Sequence, residues 1–191
     1  MGAVRFVRTL MPLAVVAAMT AACGGGGSKS SPDDSTPQGA SSGFEVRPVF
    51  ARYAPGVPFG PEVPQPLVQV MQNQACPMKP LIIDAYLMEC DAAKTVYALQ
   101  NPIATGSVAT ATAKQIGHKN LWYVEVGLDG TVAQKLTQEI PSMTGEQLAF
   151  TYNGAVLTSI AIDKSFHPTH FAITGDYNQS SATKLASELT G

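Results

Sequence analysis

The sequence predicts an α+β domain in which two helices pack on one face of a mainly antiparallel β-sheet. Residues 121–128 alternate apolar and less apolar side chains, which indicates a strand with one buried face. Residues 132–140 carry an apolar side chain at every fourth position, which indicates an amphipathic helix. Residues 148–162 contain two strand-like runs joined by Asn153 and Gly154, the strongest short signal for a β-hairpin.

The part of the chain before these elements predicts a strand, a loop and a short helix. Residues 44–49 are strand-like, and Pro48 among them indicates an edge strand or a strand end, because proline cannot donate to a ladder. Prolines recur at every third position from residue 55 to residue 64, with Pro66 beyond, and this spacing fits a polyproline-II segment and excludes a helix or a central strand. We interpret this segment as a rigid surface loop rather than a peptide-ligand motif. Residues 67–74 are interpreted as a short helix.

The remaining elements complete the predicted domain. Residues 107–116 are rich in Thr, Val and Ala and predict a strand. The helix of residues 132–140 should stop at Pro141, and residues 171–174 predict a short strand. A last helix should be capped by Asn178 and end at Gly191. From residue 121 the order is strand, helix, hairpin, strand, helix, which predicts a ferredoxin-like arrangement.

The N-terminus predicts export and attachment to a membrane. Two arginines precede the apolar run of residues 10–19, and small residues follow, so residues 1–22 fit a secretory signal peptide. The residues around Cys23 resemble a bacterial lipobox, in which that cysteine is lipidated and becomes the first mature residue. Two or more acyl chains would then hold the protein on the membrane. The alternative is an ordinary signal peptide with an incidental cysteine.

The segment after the signal peptide predicts a flexible tether. Residues 23–43 consist largely of Gly, Ser, Pro and Asp, and the α+β domain should occupy residues 44–191. Loss of residues 1–22 would remove two of the 12 basic residues and none of the 14 acidic ones, leaving a net charge of −4. With no basic stripe in the sequence, nucleic acid is not expected as a partner.

Two further cysteines, Cys76 and Cys90, predict a disulfide. An exported chain meets an oxidising compartment, where an even pair of cysteines indicates a bridge. Closing a loop of about 15 residues would stabilise the domain by ~3 kcal/mol in the chain-entropy model. No CxxC spacing or neighbouring histidine supports a metal role for this pair.

No pattern in the sequence indicates catalysis, a cofactor or a metal. HExxH, P-loop and Rossmann glycine patterns are absent from the sequence. His118 lies in a Gly-His-Lys-Asn turn and is interpreted as a solvated residue. His167 and His170 lie close to Asp163 in the sequence, but Pro168 disfavours the helix on which two histidines at this spacing would grip a metal. We therefore expect a non-enzymatic domain.

Four stretches resemble a known family. Residues 44–49, the strand and helix within residues 122–140, the hairpin of residues 148–157 and the closing strand and helix of residues 173–191 resemble the head part of the first extracytoplasmic domain of SecD. SecD is the membrane accessory subunit of the Sec protein-export machinery. The resemblance covers residues 44–191 and is strongest after residue 121. It implies the fold and a role in polypeptide handling, but not energy coupling, which SecD performs through transmembrane helices.

The resulting hypothesis is a lipid-anchored protein on the extracytoplasmic face of the cell membrane. It would bind exported, unfolded polypeptides, a Sec-translocase subunit or another membrane protein partner, through exposed sheet edges. The alternative is a structural or adaptor lipoprotein of the cell envelope with blunted edges. A third hypothesis, a carrier of small apolar ligands, requires an internal apolar cavity of several hundred Å³.

Overall fold

The computed structural model describes residues 39, 43–117 and 120–191. Residues 1–38, 40–42 and 118–119, with the signal peptide, Cys23 and His118 among them, lie outside the described residues. The helices are α1 (Gln65–Gln72), α2 (Gly130–Glu139) and α3 (Gln179–Thr190). The strands are β1 (Phe44–Tyr53), β2 (Leu81–Ile83), β3 (Tyr86–Cys90), β4 (Val96–Leu99), β5 (Ala104–Gly106), β6 (Val108–Gln115), β7 (Trp122–Leu128), β8 (Gln147–Tyr152), β9 (Ala155–Ala161) and β10 (His170–Tyr177).

The described strands form two sheets. A seven-stranded sheet has the order β2-β3-β4-β1-β8-β9, with β5 pairing to β1, and a three-stranded sheet has the order β10-β7-β6. All of these strand pairs are antiparallel. The α+β class is confirmed, but the single ferredoxin-like sheet is not what forms. The reason is pairing: β7 joins β6 and β10, whereas the hairpin β8–β9 joins β1. Alternation along a strand identifies its buried face and not its partners.

Strand β1 is central, so the interpretation of Pro48 as a sign of an edge strand was wrong. Proline is tolerated because the chain facing Pro48 is interrupted there: β1 pairs with β5 through residues 44–46 and with β4 through residues 49–53. The Pro48 carbonyl accepts from the backbone N–H of Gln100 at 3.0 Å, in the connection between those two strands. The missing N–H of Pro48 thus falls at a gap in the ladder.

The predicted helices are confirmed, and the described residues contain three α-helices where the predicted architecture packed two on a sheet. Helix α2 begins at a side-chain cap, where Asp129 Oδ1 accepts from the backbone N–H groups of Thr131 and Val132 at 2.8 and 2.9 Å. Helix α3 begins at a reciprocal capping box between Asn178 and Ser181. The proline-rich residues before α1 form neither helix nor strand, as their spacing predicts.

Two apolar cores cover opposite halves of the seven-stranded sheet. The larger core joins this sheet to the three-stranded sheet and to α2 and α3; its fully buried members include Val46, Val124, Val126, Val132, Leu136, Leu148, Phe150, Ile173 and Ala182. The smaller core packs α1 against β1, β3 and β4 through residues that include Leu67, Met71, Met88 and Ala98. A third cluster, with Leu87, Tyr97, Leu99 and Val156, lies on the opposite face of the same sheet from Met88 and Ala98.

The disulfide between Cys76 and Cys90 is present and ties the segment after α1 to the end of β3. It closes a loop with a sequence separation of 14 residues. Within the described part of the chain, no helix is long and apolar enough to cross a membrane.

Candidate functional site: a groove between two sheet edges

The most distinctive surface feature is a groove between β9 and β10, which are edge strands of different sheets. The two strands follow each other in the chain, joined by residues 162–169. A hollow of about 590 Å³ lies between them, with residues 157–159 on one side and residues 174–177 on the other. Residues 91–93, in the turn between β3 and β4, contribute to the same hollow together with Tyr97. We call this hollow the interstrand groove.

Strand β9 offers backbone hydrogen-bonding groups to the groove. Just past its end, Ile162 donates to the Glu146 carbonyl at 2.8 Å and accepts from the Gly145 N–H at 2.9 Å, so the backbone of Ile162 faces the β8 side. Backbone groups alternate in direction along an antiparallel strand, so those of Ser159 and Ala161 point away from β8. Among the described strands, only β8 pairs with β9.

A contact within the domain already occupies part of the outer edge of β9. Asp91, just after β3, makes an isolated parallel bridge with Val156 near the start of β9. The outer edge of β9 therefore accepts main-chain pairing within this fold, and the bridge marks one end of the groove. Beyond Val156 the edge is open among the described residues.

The opposite wall of the groove is an irregular stretch of β10. Pairing with β7 is regular from His170 to Ile173 and resumes at Tyr177, which is opposite Trp122. Residues 174–176 therefore have no regular partner in β7. Thr174, Gly175 and Asp176 are exposed and line the groove. An irregularity of this kind ends pairing locally and redirects side chains.

Tyr97 of β4 links the turn after β3 to strand β9 at the groove. Its hydroxyl donates to Asp91 Oδ2 at 2.9 Å and lies 3.2 Å from Ser159 Oγ. Asp91 Oδ1 accepts from the backbone N–H of Thr95 at 2.8 Å, which fixes the carboxylate. Burial raises the pKa of Tyr97 above its ordinary value, and the hydrogen bond from Ser159 opposes that effect. The phenol of Tyr97 thus stays protonated and acts as a donor at neutral pH.

The groove continues toward the connection between the two strands. A second hollow of about 260 Å³ has Ile160 of β9 and Phe171 of β10 among its lining residues. His167, His170 and Asp163 also line it, so the structure brings together the three residues considered for a metal.

Their contacts are those of an ordinary turn. Asp163 Oδ1 accepts from the backbone N–H and the hydroxyl of Ser165 at 2.7 and 2.6 Å. His170 Nδ1 lies 2.8 Å from the hydroxyl of Thr169. Among the described residues, no group of three His, Cys, Asp or Glu side chains is arranged to hold a metal.

A buried charged cluster was not found by sequence reasoning. Arg47 Nε donates to Glu45 Oε2 at 2.8 Å, and both side chains are buried. Arg47 also donates to the carbonyls of Gln100 and Gly39, each at 3.0 Å. The alternation of charged and apolar residues in residues 44–49 was the available signal, because it places Glu45 and Arg47 on one face of a strand.

Glu89 is the third member of this cluster. It is fully buried on β3, and neither carboxylate oxygen has a hydrogen-bond partner among the residues that the structure describes. Burial raises the pKa of Glu89 to about 7; nearby Arg47 lowers it and Glu45 raises it further, both by smaller amounts. Glu89 is opposite Tyr97 across the β3–β4 ladder, so its side chain shares a sheet face with the tyrosine that reaches the groove.

Two other hollows differ from the interstrand groove. One lies on the exposed side of α3, is lined mainly by polar side chains such as Thr183, Lys184 and Ser187, and has no strand edge. The other, of about 250 Å³, lies between β1 and the proline-rich loop and includes Phe59. Neither of these two hollows combines a cavity with open backbone groups of an edge strand. None of the four hollows is an enclosed apolar cavity of the kind that a ligand carrier requires.

Comparisons with known proteins identify the family of this chain. Residues 84–191 match the model of the SecDF P1 head subdomain, so the chain belongs to that family. The match begins at residue 84 rather than at residue 44, so β1 lies outside the matched residues although it is central to the sheet.

Two solved structures of SecDF are similar to this chain. One is a crystal structure of SecDF in a super-membrane-facing form, with 17% identity and a TM-score of 0.44, covering 78% of this chain and 18% of that chain. The other is SecDF described as a membrane component that enhances protein export, with 17% identity and a TM-score of 0.47, covering 78% of this chain and 61% of that chain. This chain thus spans less than two thirds of either protein. No curated protein sequence matches it.

Proposed function

We propose that this chain is a lipoprotein on the extracytoplasmic face of the cell membrane, whose SecDF P1 head-like domain binds extended segments of exported polypeptides. The binding site is the interstrand groove. The observation that carries the proposal is the meeting of two open strand edges, β9 and β10, across one hollow. Membership of the SecDF P1 head family supports the link to protein export.

An extended polypeptide can bind such a groove by adding a strand. The backbone groups of Ser159 and Ala161 point away from β8, toward the open side of the edge strand. The backbone of an incoming chain would pair with them. Main-chain hydrogen bonds depend little on side-chain identity, which suits a protein that handles many different polypeptides. The hollow of about 590 Å³ is in the size range of ligand-binding clefts.

The proposed location has its own support. Cys23 follows a signal-peptide-like segment, and the disulfide between Cys76 and Cys90 is the kind of bond that forms in an oxidising compartment. The variant Cys23→Ser should release the protein from the membrane fraction and remove acyl groups from its first mature residue. Cys90→Ser is the control and should remain in the membrane fraction. Membrane association that survives Cys23→Ser would contradict lipid anchoring at this residue.

Site-specific photocrosslinking in cells tests the binding proposal. A photoreactive residue would replace Thr158 on β9 or Thr174 on β10, both of which line the groove. Thr137, exposed on α2, is the matched control position. We expect crosslinks to many secretory polypeptides at the two groove positions, lost when export is blocked, and few at Thr137. A single envelope protein captured at every position, unaffected by the block, would contradict the proposal.

A second experiment tests the mode of binding. Short synthetic peptides of one sequence would be compared with copies in which alternate backbone nitrogens are methylated. Methylation removes N–H donors. If the peptide adds as a strand to β9, the methylated copy should bind at least tenfold more weakly than the unmethylated one, because it loses one or two hydrogen bonds of ~1 kcal/mol each and introduces a steric clash. Equal binding of both peptides would exclude strand addition.

A structural or adaptor lipoprotein is the second candidate, and one observation favours it. Leu81 and Ile82 are exposed on β2, the other edge strand of the seven-stranded sheet. An exposed apolar edge strand invites pairing with another protein. Replacing both residues with lysine should abolish capture of a single partner if the adaptor hypothesis is right. The same change should leave crosslinking at Thr158 unaltered if the interstrand groove is the binding site.

A further inference from the structure

The walls of the interstrand groove carry charge of one sign. Asp91 lies in the β3–β4 turn and Asp176 on β10, on different sides of the groove. No Lys, Arg or His is among the described residues that line this hollow. Lys94 belongs to the same turn as Asp91 but does not line the groove. The remaining polar lining consists of hydroxyl groups, on Tyr97, Ser159 and other residues.

The charge of Asp91 is held in place and acts across the groove. Hydrogen bonds from the Thr95 N–H and the Tyr97 hydroxyl fix both carboxylate oxygens. After burial, the next contribution that raises the pKa of Tyr177 is the negative charge of Asp91. Tyr177 belongs to the opposite wall, so the potential of Asp91 extends over the space that a bound chain would occupy.

We propose that the interstrand groove selects extended polypeptide segments that carry lysine or arginine and discriminates against acidic segments. This inference rests on the proposed function, because it concerns the specificity of the same groove. Strand addition supplies contacts that are common to all extended chains. The carboxylates of Asp91 and Asp176 then supply the discrimination, because side chains that flank the added strand meet acidic groups on both walls.

The discrimination is expected to be modest and dependent on salt. Asp176 is exposed, and an exposed ion pair is typically worth about 0.2–1 kcal/mol. Two such pairs correspond to about a two- to thirtyfold difference in affinity between a basic and a neutral segment. Screening at about 0.5 M salt should remove most of this difference, since the Debye length then falls to a few Å.

The test uses three fluorescent peptides of equal length and the full chain in detergent. The peptides share an alternating Thr/Val sequence with Lys, Gln or Glu at the same two positions. Affinity should fall in the order Lys, Gln, Glu at low salt and converge at high salt. Asp176→Asn should weaken the Lys peptide several-fold with little effect on the Gln peptide, and Asp176→Lys should favour the Glu peptide. Glu139→Gln, at the exposed end of α2, is the control and should change nothing.

The outcomes separate this inference from the proposed function. Equal binding of the three peptides, still blocked by backbone methylation, would overturn the charge selection and leave polypeptide binding in the groove intact. A Lys preference that persists in Asp176→Lys combined with Asp91→Asn would place the selection elsewhere and overturn the inference. Failure of all three peptides to bind would overturn both proposals.

Discussion

Arg47 Nε donates to Glu45 Oε2 across 2.8 Å, and the two side chains expose only 1% and 4% of their surface. Two charges in such a site lose their hydration, and only close geometry with additional hydrogen bonds compensates for that loss. Arg47 has those bonds, to the carbonyls of Gln100 and Gly39. Gly39 precedes β1, so this guanidinium also holds the chain where it enters the domain.

Removal of the arginine should be strongly destabilising. Arg47→Met leaves the Glu45 carboxylate buried without its cation, and such a loss typically costs ~3–5 kcal/mol of unfolding free energy. The double variant Glu45→Gln with Arg47→Met removes both charges and should recover a large part of that cost. Urea denaturation measures both effects. Arg52→Met, an exposed position near the end of the same strand, is the control and should remain within ~0.5 kcal/mol of the parent. A double variant as unstable as Arg47→Met would show that the charge pair is not the cause.

Glu89 should make the domain less stable as pH rises toward neutral. Its pKa in the folded chain is about 7, raised from 4.5 mainly by burial, so folding retains a proton that the unfolded chain releases. The contribution of Glu89 to stability should therefore be largest near and below pH 4.5, fall as pH rises from there to 7, and level off above. The full difference is of the order of 3 kcal/mol.

Glu89→Gln tests the origin of this pH dependence. The neutral amide resembles the protonated acid, so the variant should match the parent near pH 5 and exceed its stability near pH 8. Glu139→Gln, an exposed substitution, should keep the slope of the parent. Urea midpoints at a series of pH values provide the measurement. An unchanged slope in Glu89→Gln would assign the pH dependence to another group.

The sequence predicts elements better than their assembly, and particular strands show why. Trp122–Leu128 was identified because only one of its faces is fully apolar, so its side chains alternate. Val96–Leu99 is buried at every position and Tyr86–Cys90 at nearly every one, so neither shows alternation, and both were missed. Leu81–Ile83 is too short to give a pattern. The missing strands are those that place β1 in the centre of the sheet.

The groove escaped sequence reasoning for a related reason. Both of its strands, β9 and β10, were predicted as strands. Whether an edge is open depends on which strand pairs with it, and that depends on contacts between distant parts of the chain. The disulfide, by contrast, was predictable, because Cys76 and Cys90 are the two cysteines that remain once Cys23 is assigned to the lipobox-like segment.

The cap of helix α2 should contribute measurably to stability. Asp129 accepts from the first turn of the helix through Oδ1, and through Oδ2 from the backbone N–H and hydroxyl of Ser107 at 2.8 and 2.9 Å. Asp129→Ala should cost ~1–2 kcal/mol, and Asp129→Asn less, because the amide oxygen can still accept. Thermal unfolding of the three proteins at neutral pH distinguishes these values. Equal losses in both variants would show that the cap bonds are not what matters.

The same carboxylate predicts a loss of stability in acid. Hydrogen bonds, first from Val132 and next from Ser107, lower the pKa of Asp129 below its ordinary value of 3.8. The stabilisation is therefore complete above that value and is lost as pH falls through the lower pKa of the folded chain. Asp129→Asn should remove this acid-dependent part, so its stability should fall less steeply than that of the parent below about pH 4.

The bond between Cys76 and Cys90 should stabilise the packing of α1 against the sheet. It closes a loop with a separation of 14 residues, for which the chain-entropy model gives ~3 kcal/mol. The double variant Cys76→Ser with Cys90→Ser should lose about that amount in urea denaturation, and reduction of the parent should lower its midpoint similarly. Ala75→Ser places a serine at the exposed position beside Cys76 and leaves the bond intact, so this control should keep the midpoint of the parent.

Hydrogen exchange shows where the bond acts. Because Cys90 belongs to the core that contains Leu67 and Met71, amide exchange in α1 should accelerate more than in α3 when the bond is removed. Equal acceleration in both helices would mean that the bond acts on the whole domain rather than on this core.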